Sequence, residues 1–384
     1  MTAHRGPQAR GLLAAAGWAR NVVFSVADFR AAHYSRLYLI GDSAGWSLDW
    51  DMRELAGVCE SLRIEARPAV RYPTPDRQSV FLASSGQIEK VLLRPGRRRV
   101  GAAYFHGKPG PAGQWAGDRI AMLARLHERI TRIQVTNTAF RDTILNTGIS
   151  PDKVFLIPIG INLSFFQQQT PDARRAARDA FGIPHTATVV GSFQKDGVGW
   201  REGNEPKLVK GPDVLLEMLA LLRRRVPDLW VLLSGPARGY VKSGLVRLGI
   251  PHRHVLLKDF PEVGRLFHAI DVYVVSSRDE GGPKAVLESM ASGVPLVTTR
   301  VGQAADLVQH GRNGWMVEVG DAEGLAHWAA YALEHPAGIE DVLTHGRRTA
   351  EENCYRAQLP LWRALLTGFV HAADDSSNEQ LGLA

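Results

Sequence analysis

The chain has 384 residues, of which 45% are hydrophobic and 22% charged, a composition typical of soluble globular proteins and unlike that of disordered or membrane-spanning chains. This length exceeds the size at which a single hydrophobic core stops growing, so the sequence predicts two domains. The net charge of +7 is uneven, because residues 1–180 hold 25 basic and 15 acidic side chains while the remainder hold 21 and 24. The basic first half should therefore meet the more anionic partner or surface.

The N-terminal segment and the two cysteines bear on the compartment in which the protein is expected. No apolar run reaches the length of a membrane-spanning helix, and the short apolar segment near the start has no clear cleavage pattern. Cys59 and Cys354 belong to no C-x-x-C pair, so neither a disulfide framework nor a zinc site is expected. We therefore expect residues 1–20 to be a loose tail and the protein to be cytoplasmic.

Short apolar runs alternate with longer helical patterns along the chain. In order, "RLYLIG" precedes "DWDMRELAGVCESL", "VGAAYFHG" precedes "DRIAMLARLHERI", and "IQVTN" precedes "AFRDTILNTG". The pattern pauses over residues 170–186, and "TVVGSF" then starts a second series that includes "DVLLEMLALLRRRV", "LWVLLSG" and "DVYVVSS". This alternation predicts βαβ units with parallel sheets.

The predicted fold class is α/β, with two Rossmann-like doubly wound domains facing a central cleft. The first domain should span residues 21–180 and the second residues 181–352, while residues 353–384 form a helix that packs back on the first domain and a tail. Open α/β sheets bind ligands outside the carboxyl ends of their strands, so both sheets should contribute to the cleft.

The stretch "YLIGDSAGWSLDWD" admits three interpretations. Gly41 to Gly45 has the G-x-S-x-G form of a hydrolase nucleophile elbow with Ser43 as nucleophile, and GDS also occurs in a class of lipases. "DWD" at residues 49–51 has the D-x-D form by which many metal-dependent glycosyltransferases hold a cation. No oxyanion loop precedes Gly41, the later lipase blocks are missing, and the aspartates lie where a helix starts and complement its dipole. Hydrolysis at Ser43 stays a minor alternative.

The segment "DVYVVSSRDEGGPKAVLESMASGVPLVTTRVGQ" concentrates the chemistry. Gly281 and Gly282 follow a buried strand and precede Pro283, so the loop should present backbone N–H groups at a helix N-terminus, which suits a diphosphate. Glu280 lies in the loop and Glu288 about two turns along the helix. Carboxylates accept paired hydrogen bonds from sugar and ribose hydroxyls, so the segment predicts a nucleotide-sugar site.

The string from Glu280-Gly-Gly-Pro to Glu288-Ser-Met-Ala-Ser-Gly-Val-Pro-Leu-Val resembles the E-x7-E signature of retaining, GT-B-fold glycosyltransferases of family 4, the glycosyltransferase group 1 type. "NGWMVEVGDAEGLA", "KVFLIPIGIN" and "YFHG" agree as well, so the resemblance covers most of residues 35–350. It implies that Glu280 contacts the transferred sugar and Glu288 the nucleotide ribose. The residues that would bind the donor around them are Gly281, Gly282, Pro283 and Lys284.

The resemblance also implies a lysine that pairs with the diphosphate, and Lys210 before Gly211 matches it. The family's companion basic residue comes just after the preceding strand. Here a glycine-rich excursion, which separates Lys195 from Lys207 in "GSFQKDGVGWREGNEPKLVKG", intervenes, so either of these two lysines could take that role. The excursion is either a lid over the donor or a surface loop. His106, at the end of "VGAAYFHG", falls where the family places a histidine beneath the transferred sugar.

The first domain departs from the family pattern at its glycine loop, where Gly41 and Gly45 are separated by Asp-Ser-Ala instead of being adjacent. We expect the acceptor-side loop to comprise Gly41, Asp42, Gly45 and Trp46. Trp46 could offer an apolar face to a sugar ring and Asp42 could orient the acceptor hydroxyl. A second departure is Gln303, which comes after Gly302 where the family often has another glycine.

Together the resemblance implies a retaining transfer from a UDP or GDP sugar to a hydroxyl of a glycan, a lipid-linked sugar or a small molecule. His106, Glu280 and Lys210 would be the catalytic residues. No metal ion or other cofactor is expected, because lysine and backbone N–H groups offset the diphosphate charge. Two other interpretations in the same fold stay open, a nucleotide-sugar epimerase and a non-catalytic sugar-nucleotide binding protein.

A basic surface in the first domain suggests peripheral association with the inner face of the membrane. The helix "DRIAMLARLHERITR" is expected to carry an apolar face flanked by a basic one, formed by Met122, Leu123, Leu126 and Ile130 and by Arg125, Arg129 and Arg132. An ordinary half-buried helix with a solvated side fits this pattern equally well. Nucleic acid is not an expected partner, because no aromatic residues interleave with the arginines.

Overall fold

The computed structural model describes residues 31–41, 47–69, 75–83, 88–93, 95–104 and 114–371. The described residues up to Pro158, with those from Tyr355 onward, form one compact unit, and Ile159–Cys354 form a second. Each unit is built on a six-stranded sheet. Within the described ranges, no helix has the length and apolar character needed to cross a bilayer.

The first unit has a parallel sheet whose strands lie in the order β2-β1-β3-β4-β5-β6. Its elements up to the crossover are β1 (Arg36–Ile40), α1 (Ser47–Ser61), β2 (Glu65–Ala69), β3 (Ser79–Leu82), α2 (Ile88–Leu92), β4 (Arg99–Tyr104), α3 (Gln114–Leu126), β5 (Arg132–Val135), α4 (Thr138–Leu145) and β6 (Val154–Leu156). The chain reverses its direction of progress across the sheet between β1 and β3. That gap is the topological switch point of the first unit.

The second unit has a parallel sheet in the order β12-β11-β10-β7-β8-β9. Its elements are α5 (Pro171–Phe181), β7 (Thr188–Phe193), α6 (Pro212–Arg223), β8 (Leu229–Ser234), α7 (Gly239–Leu248), β9 (His252–Val255), α8 (Val263–His268), β10 (Val272–Val275), α9 (Lys284–Ala291), β11 (Leu296–Thr299), α10 (Ala304–Leu307), β12 (Trp315–Val317), α11 (Ala322–Glu334) and α12 (Glu340–Glu352). This is the strand order of dinucleotide-binding sheets, with the switch point between β7 and β10.

Helices cover both faces of the second sheet, which explains why its strands are almost continuously apolar. Successive side chains point to opposite faces, so Val274 packs against the layer that contains α6 and α11, while Tyr273 and Val275 pack against α8 and α9. Burying one such aliphatic side chain contributes roughly 1.5–3 kcal/mol. The predicted doubly wound α/β architecture is confirmed for each unit.

The second unit begins earlier in the sequence than the predicted boundary at residues 180 and 181. Ile161, Phe166, Ala177 and Ile183 are all buried in its core, so the segment that leads into β7 is packed there. The pause in strand–helix alternation, which suggested the boundary, therefore lies inside the second unit. The division in the structure falls after Pro158.

The chain returns to the first unit at Tyr355 and ends its described part there with α13 (Leu359–Leu366). The Tyr355 hydroxyl donates to Asp51 Oδ1 in α1 at 2.8 Å. Trp362 packs edge-on against Phe81 of β3, with ring centroids 5.9 Å apart. Asp51 thus serves to hold the returning chain, and Asp49 lies in the first turn of α1 as expected.

The basic helix of the first unit is shorter than predicted. It ends at Leu126, a 3₁₀ turn covers His127–Arg129, and Arg132 begins β5 instead of extending the helix. The apolar side chains at residues 122, 123, 126 and 130 are buried in the unit. These facts favour the half-buried helix, so peripheral membrane association stays a prediction that this helix does not support.

Candidate functional site

The site predicted from the sequence lies at the switch point of the second unit. β7 and β10 are parallel neighbours, so their carboxyl ends meet at one edge of the sheet. Gln194 and Lys195 come directly after β7, and the segment from Ser276 to Glu280 comes directly after β10. Lys210 joins them through a 3₁₀ turn, Leu208–Lys210, that precedes α6. Three sequence segments therefore bring polar side chains to one place.

An ion pair between Lys210 and Glu280 stands at the centre of the site. Lys210 Nζ lies 2.5 Å from Glu280 Oε1, and the Ser277 hydroxyl donates to the same oxygen at 2.8 Å. The two charged side chains are 24% and 13% exposed, so solvent still reaches both. A partly buried pair of this kind can exchange contacts with an incoming ligand at a smaller desolvation cost than a fully buried one.

Gly211 lets the lysine-bearing turn approach the end of β10. Its φ is +61°, and a Cβ there would stand 1.9 Å from the carbonyl oxygen of Ser276. The Ser276 hydroxyl donates to the Gly211 carbonyl at 2.9 Å, and the Arg278 amide donates to the Val209 carbonyl at 2.8 Å. The Lys-Gly pair that the resemblance singled out is thus explained, because only glycine fits this close approach in the left-handed region.

All three candidate lysines belong to one electrostatic cluster. Desolvation by the surrounding protein lowers the pKa of Lys207, and repulsion from Lys210 and Lys195 lowers it further, while Glu280 raises it. Desolvation also lowers the pKa of Lys195, whose ammonium lies 4.0 Å from the centre of the Trp200 ring. Because the lysines repel one another, an anion among them would relieve that repulsion. The cluster therefore offers both Lys195 and Lys207 as companions of Lys210.

The glycine loop between Glu280 and α9 is packed against the loop after β11. A Cβ on Gly302 would stand 2.5 Å from the carbonyl oxygens of Glu280 and Gly281. Next to it, the backbone N–H of the buried Gln303 donates to the Gly281 carbonyl at 3.2 Å, and its side-chain Oε1 accepts from the Ile159 backbone N–H at 2.8 Å. The departure from the family at Gln303 thus supplies a side chain that bonds to the start of the second unit, while the backbone of the same residue holds the glycine loop.

Helix α9 begins at Lys284, one residue after Pro283, which is its N-cap. The Lys284 ammonium lies 4.7 Å from the centre of the Phe260 ring. Glu288 lies in the second turn and is buried. Burial raises the pKa of the nearby Tyr273 hydroxyl, and the negative charges of Glu288 and Glu280 raise it further. The two glutamates thus differ in setting, one engaged by lysine and one enclosed by the helix layer.

Four of the predicted site residues lie outside the described residues, namely His106, Asp42, Gly45 and Trp46, as does Ser43 of the hydrolase alternative. Gly41 is described and buried at the end of β1. A Cβ on Gly41 would stand 2.1 Å from Asp49 Oδ1, so the glycine permits the approach of α1. The roles predicted for the acceptor-side loop stay predictions.

Sequence reasoning missed Arg238 and Asp196, which form a fully buried ion pair beside the lysine cluster, with Arg238 Nε 3.1 Å from Asp196 Oδ1. Burial raises the pKa of Asp196 and Arg238 counteracts that shift. Arg238 lies just after β8, whose carboxyl end is next to that of β7. A basic residue just after a strand, in "VLLSGPARG", was the available signal.

Comparisons with known proteins agree with this geometry. The model of the family described as Glycosyl transferases group 1 matches residues 203–335. A D-inositol 3-phosphate glycosyltransferase of Corynebacterium urealyticum is 31% identical over 233 residues, which are 56% of this chain and 52% of that protein. D-inositol 3-phosphate glycosyltransferase 2 of Catenulispora acidiphila is 32% identical over 292 residues, 67% of this chain and 62% of that one. The chain thus spans only about half to three fifths of these relatives' length.

Among solved structures, Anabaena Alr3699/HepE in complex with UDP and glucose matches with a TM-score of 0.70 at 16% identity, covering 88% of this chain and all of that one. Sucrose-phosphate synthase of Thermosynechococcus elongatus matches with a TM-score of 0.67 at 20% identity, covering 87% of this chain and all of that one. The strand orders and these matches define a protein of GT-B fold. Within that fold, the segment that matches the family described as Glycosyl transferases group 1 contains Lys210, Glu280 and Glu288.

Proposed function

We propose that the protein is a retaining glycosyltransferase that moves a sugar from a nucleoside diphosphate sugar, a UDP or GDP sugar, to a hydroxyl acceptor. The observation that carries the proposal is the convergence of three lysines with Glu280 at the switch point of the second unit. Fixed positive charges suit a diphosphate, and a carboxylate suits sugar hydroxyls because it accepts paired hydrogen bonds from them. The family match and the UDP-bound structural neighbour support the same assignment.

The ion pair gives Lys210 a role in the departure of the nucleoside diphosphate. As the bond between the sugar C1 and the phosphate oxygen breaks, negative charge grows on the diphosphate, and lysines fixed in place stabilise it without reorganisation. Glu280, held by Lys210 and Ser277, is oriented to accept hydrogen bonds from the transferred sugar. The acceptor oxygen then bonds to C1 on the face that the diphosphate leaves, and its proton passes to a diphosphate oxygen, which retains the anomeric configuration.

We also propose that the transfer needs no divalent cation. The three lysines, together with backbone N–H groups at the start of α9, supply the positive charge that a metal ion contributes in other transferases. Activity that EDTA abolishes and manganese restores would contradict this part of the proposal. Full activity in EDTA supports it.

The test is an assay of the whole chain with UDP and GDP sugars and a panel of hydroxyl acceptors. D-inositol 3-phosphate belongs in the panel because the similar curated proteins carry that name. Proton NMR should show a product with the donor's anomeric configuration, and an inverted product would refute the retaining mechanism. A new sugar formed from the donor alone would indicate an epimerase, and donor binding without any product would indicate a binding protein.

A further inference from the structure

Arg238 occupies the junction between β7, β8 and the glycine-rich excursion, and both of its terminal nitrogens are used. Nη1 donates to the carbonyls of Ser192, Gln194 and Ser234 at 3.0, 2.6 and 3.1 Å, and Nη2 donates to the Ser192 hydroxyl at 3.1 Å. Nε faces the Asp196 carboxylate, and both side chains of this pair are fully buried. The planar guanidinium therefore holds the Gln194 backbone on one side of Lys195 and the Asp196 side chain on the other.

Two glycines show how closely the excursion is laid on the turn before Arg238. A Cβ on Gly197 would stand 2.2 Å from the Ala237 carbonyl oxygen, and one on Gly235 would stand 2.7 Å from the Gln194 carbonyl oxygen. Gly235 has a φ of +90°, which favours glycine in any case. The excursion is thus seated against this turn at its first residues, where the buried ion pair lies.

The same network reaches the other two lysines. The Lys207 amide donates to the Asp196 carbonyl at 2.8 Å, which closes the excursion into a narrow loop. The Gln194 side chain donates to the Lys210 carbonyl at 3.1 Å. Arg238 holds Gln194 and Asp196 directly. Lys207 is bonded to Asp196, Lys210 is bonded to Gln194, and Lys195 lies between the two in sequence.

We propose that Arg238, paired with Asp196, is the positioning residue of the donor site, which fixes the backbone from which Lys195, Lys207 and Lys210 reach the diphosphate. This proposal rests on the proposed function, because it assumes that the lysines bind a nucleoside diphosphate. Arg238 itself stays buried and touches no substrate. Its loss should weaken recognition of the diphosphate group specifically, since the lysines would keep their charges but lose their shared geometry.

The second unit contains a control at the amino ends of the strands of the same sheet, away from the lysines. Arg178 is also fully buried, donates to the carbonyls of Pro184, His185, Ala187 and Ala269, and pairs with Asp271 at 2.7 Å. Asp271 accepts from the Val189 amide at 2.7 Å, next to the start of β7. Both arginines are fully buried and donate to several carbonyls, although Asp271 is 20% exposed and Asp196 is fully buried. Only the Arg238 pair borders the lysines.

The experiment compares Arg238→Lys with the control Arg178→Lys. A second pair, Asp196→Asn and its control Asp271→Asn, keeps the test decisive if an arginine variant does not fold. Isothermal titration of the whole chain at a temperature well below each melting transition measures the Kd of UDP, GDP or ADP, whichever the wild type binds. Ligand-observed NMR measures the Kd of the corresponding nucleoside, which lacks the diphosphate. Thermal melts record the loss of stability in all four variants.

We expect Arg238→Lys and Asp196→Asn to raise the Kd of the nucleoside diphosphate about tenfold or more and to leave the Kd of the nucleoside within about twofold. Arg178→Lys and Asp271→Asn should lower the melting temperature without changing either Kd. Equal effects on diphosphate and nucleoside, or no effect of the Arg238 pair on either, would overturn the proposal. A wild type that binds none of the three nucleotides would refute the proposed function itself.

Discussion

The switch points of the two units differ in the residues at the carboxyl ends of their strands. In the first unit, Gly41 and Ala83 directly follow β1 and β3, both are buried, and the Ala83 amide donates to the Ile40 carbonyl at 2.8 Å. In the second unit, β7 and β10 lead into partly exposed charged side chains around Lys210 and Glu280. Among the described residues, the positions after the strands are therefore closely packed at the first switch point, whereas the second carries the charged side chains that we propose bind the diphosphate.

The arginines of the first unit that hold the returning chain also differ in use from the lysines of the second. In the first, Arg132 donates to the carbonyls of Leu365 and Thr367 and so holds the returning chain, and Arg99 donates to the carbonyl of Phe369. In the second, lysines stand at the strand ends. Arginine's planar fork suits fixed carbonyl partners, whereas a lysine ammonium can redirect its donors to a ligand. The comparison predicts that the arginines of the first unit and the lysines of the second fail in different ways when replaced.

The largest expected effect comes from Lys210. Lys210→Met should lower kcat/KM by about 100- to 1,000-fold, because a fixed charge that stabilises the leaving diphosphate is lost. Steady-state kinetics measure this effect, and Lys90→Met, at an exposed position of α2, serves as the control that should change little. A Lys210→Met enzyme that keeps more than about a tenth of wild-type kcat/KM would break the contrast between the units.

Replacing the two glutamates should affect different steady-state parameters. Glu280→Ala should mainly lower kcat, by about 100-fold, because a sugar contact that tightens in the transition state is lost. Glu288→Ala should mainly raise KM, by about tenfold, because a ribose contact acts equally on the bound substrate and the transition state. Full saturation curves for both variants decide the matter, and the reverse pattern would overturn the assignment.

A smaller, purely structural effect is expected in the first unit. Arg132→Met removes three hydrogen bonds to carbonyls and should lower the free energy of unfolding by about 1–3 kcal/mol. Arg125→Met removes only an exposed ion pair with Glu89 and should cost less than about 1 kcal/mol. Denaturant melts measure both changes. Since neither residue belongs to the lysine cluster, a changed nucleotide Kd in Arg132→Met would contradict the division of roles.

The smallest expected effect is a pH dependence of nucleotide affinity. The pKa of Lys207 lies below its ordinary value of 10.5 in the free protein, and a bound diphosphate should raise it, so binding takes up protons. Affinity should therefore fall as the pH rises through that lowered pKa, which lies below 10.5. Lys207→Arg, whose side chain does not titrate in this range, should flatten the profile. An unchanged slope in that variant would assign the pH dependence to another group.

The sequence predicted the sheets and placed Lys210 and Glu280 in one candidate site, because both leave local signals. Apolar runs of strand length and glycines before a helix can be recognised along the sequence, and the string around Glu280 and Glu288 identified the segment of the candidate site. The domain boundary and the end of α3 could not be predicted, since the packing of residues 159–183 and the 3₁₀ turn after Leu126 depend on tertiary contacts. Arg238 and Asp196 are 42 positions apart, so their pairing arises only when β7 and β8 are neighbours.

The central claim is that Lys195, Lys207 and Lys210 together bind the diphosphate of the donor. Isothermal titration of the nucleoside diphosphate into the wild type and into the variant with all three lysines changed to methionine tests it most directly, with circular dichroism and a thermal melt to verify folding. We predict that the folded variant binds at least about 100-fold more weakly than the wild type, a loss of about 2.7 kcal/mol. A folded triple variant that binds with wild-type affinity would contradict the account.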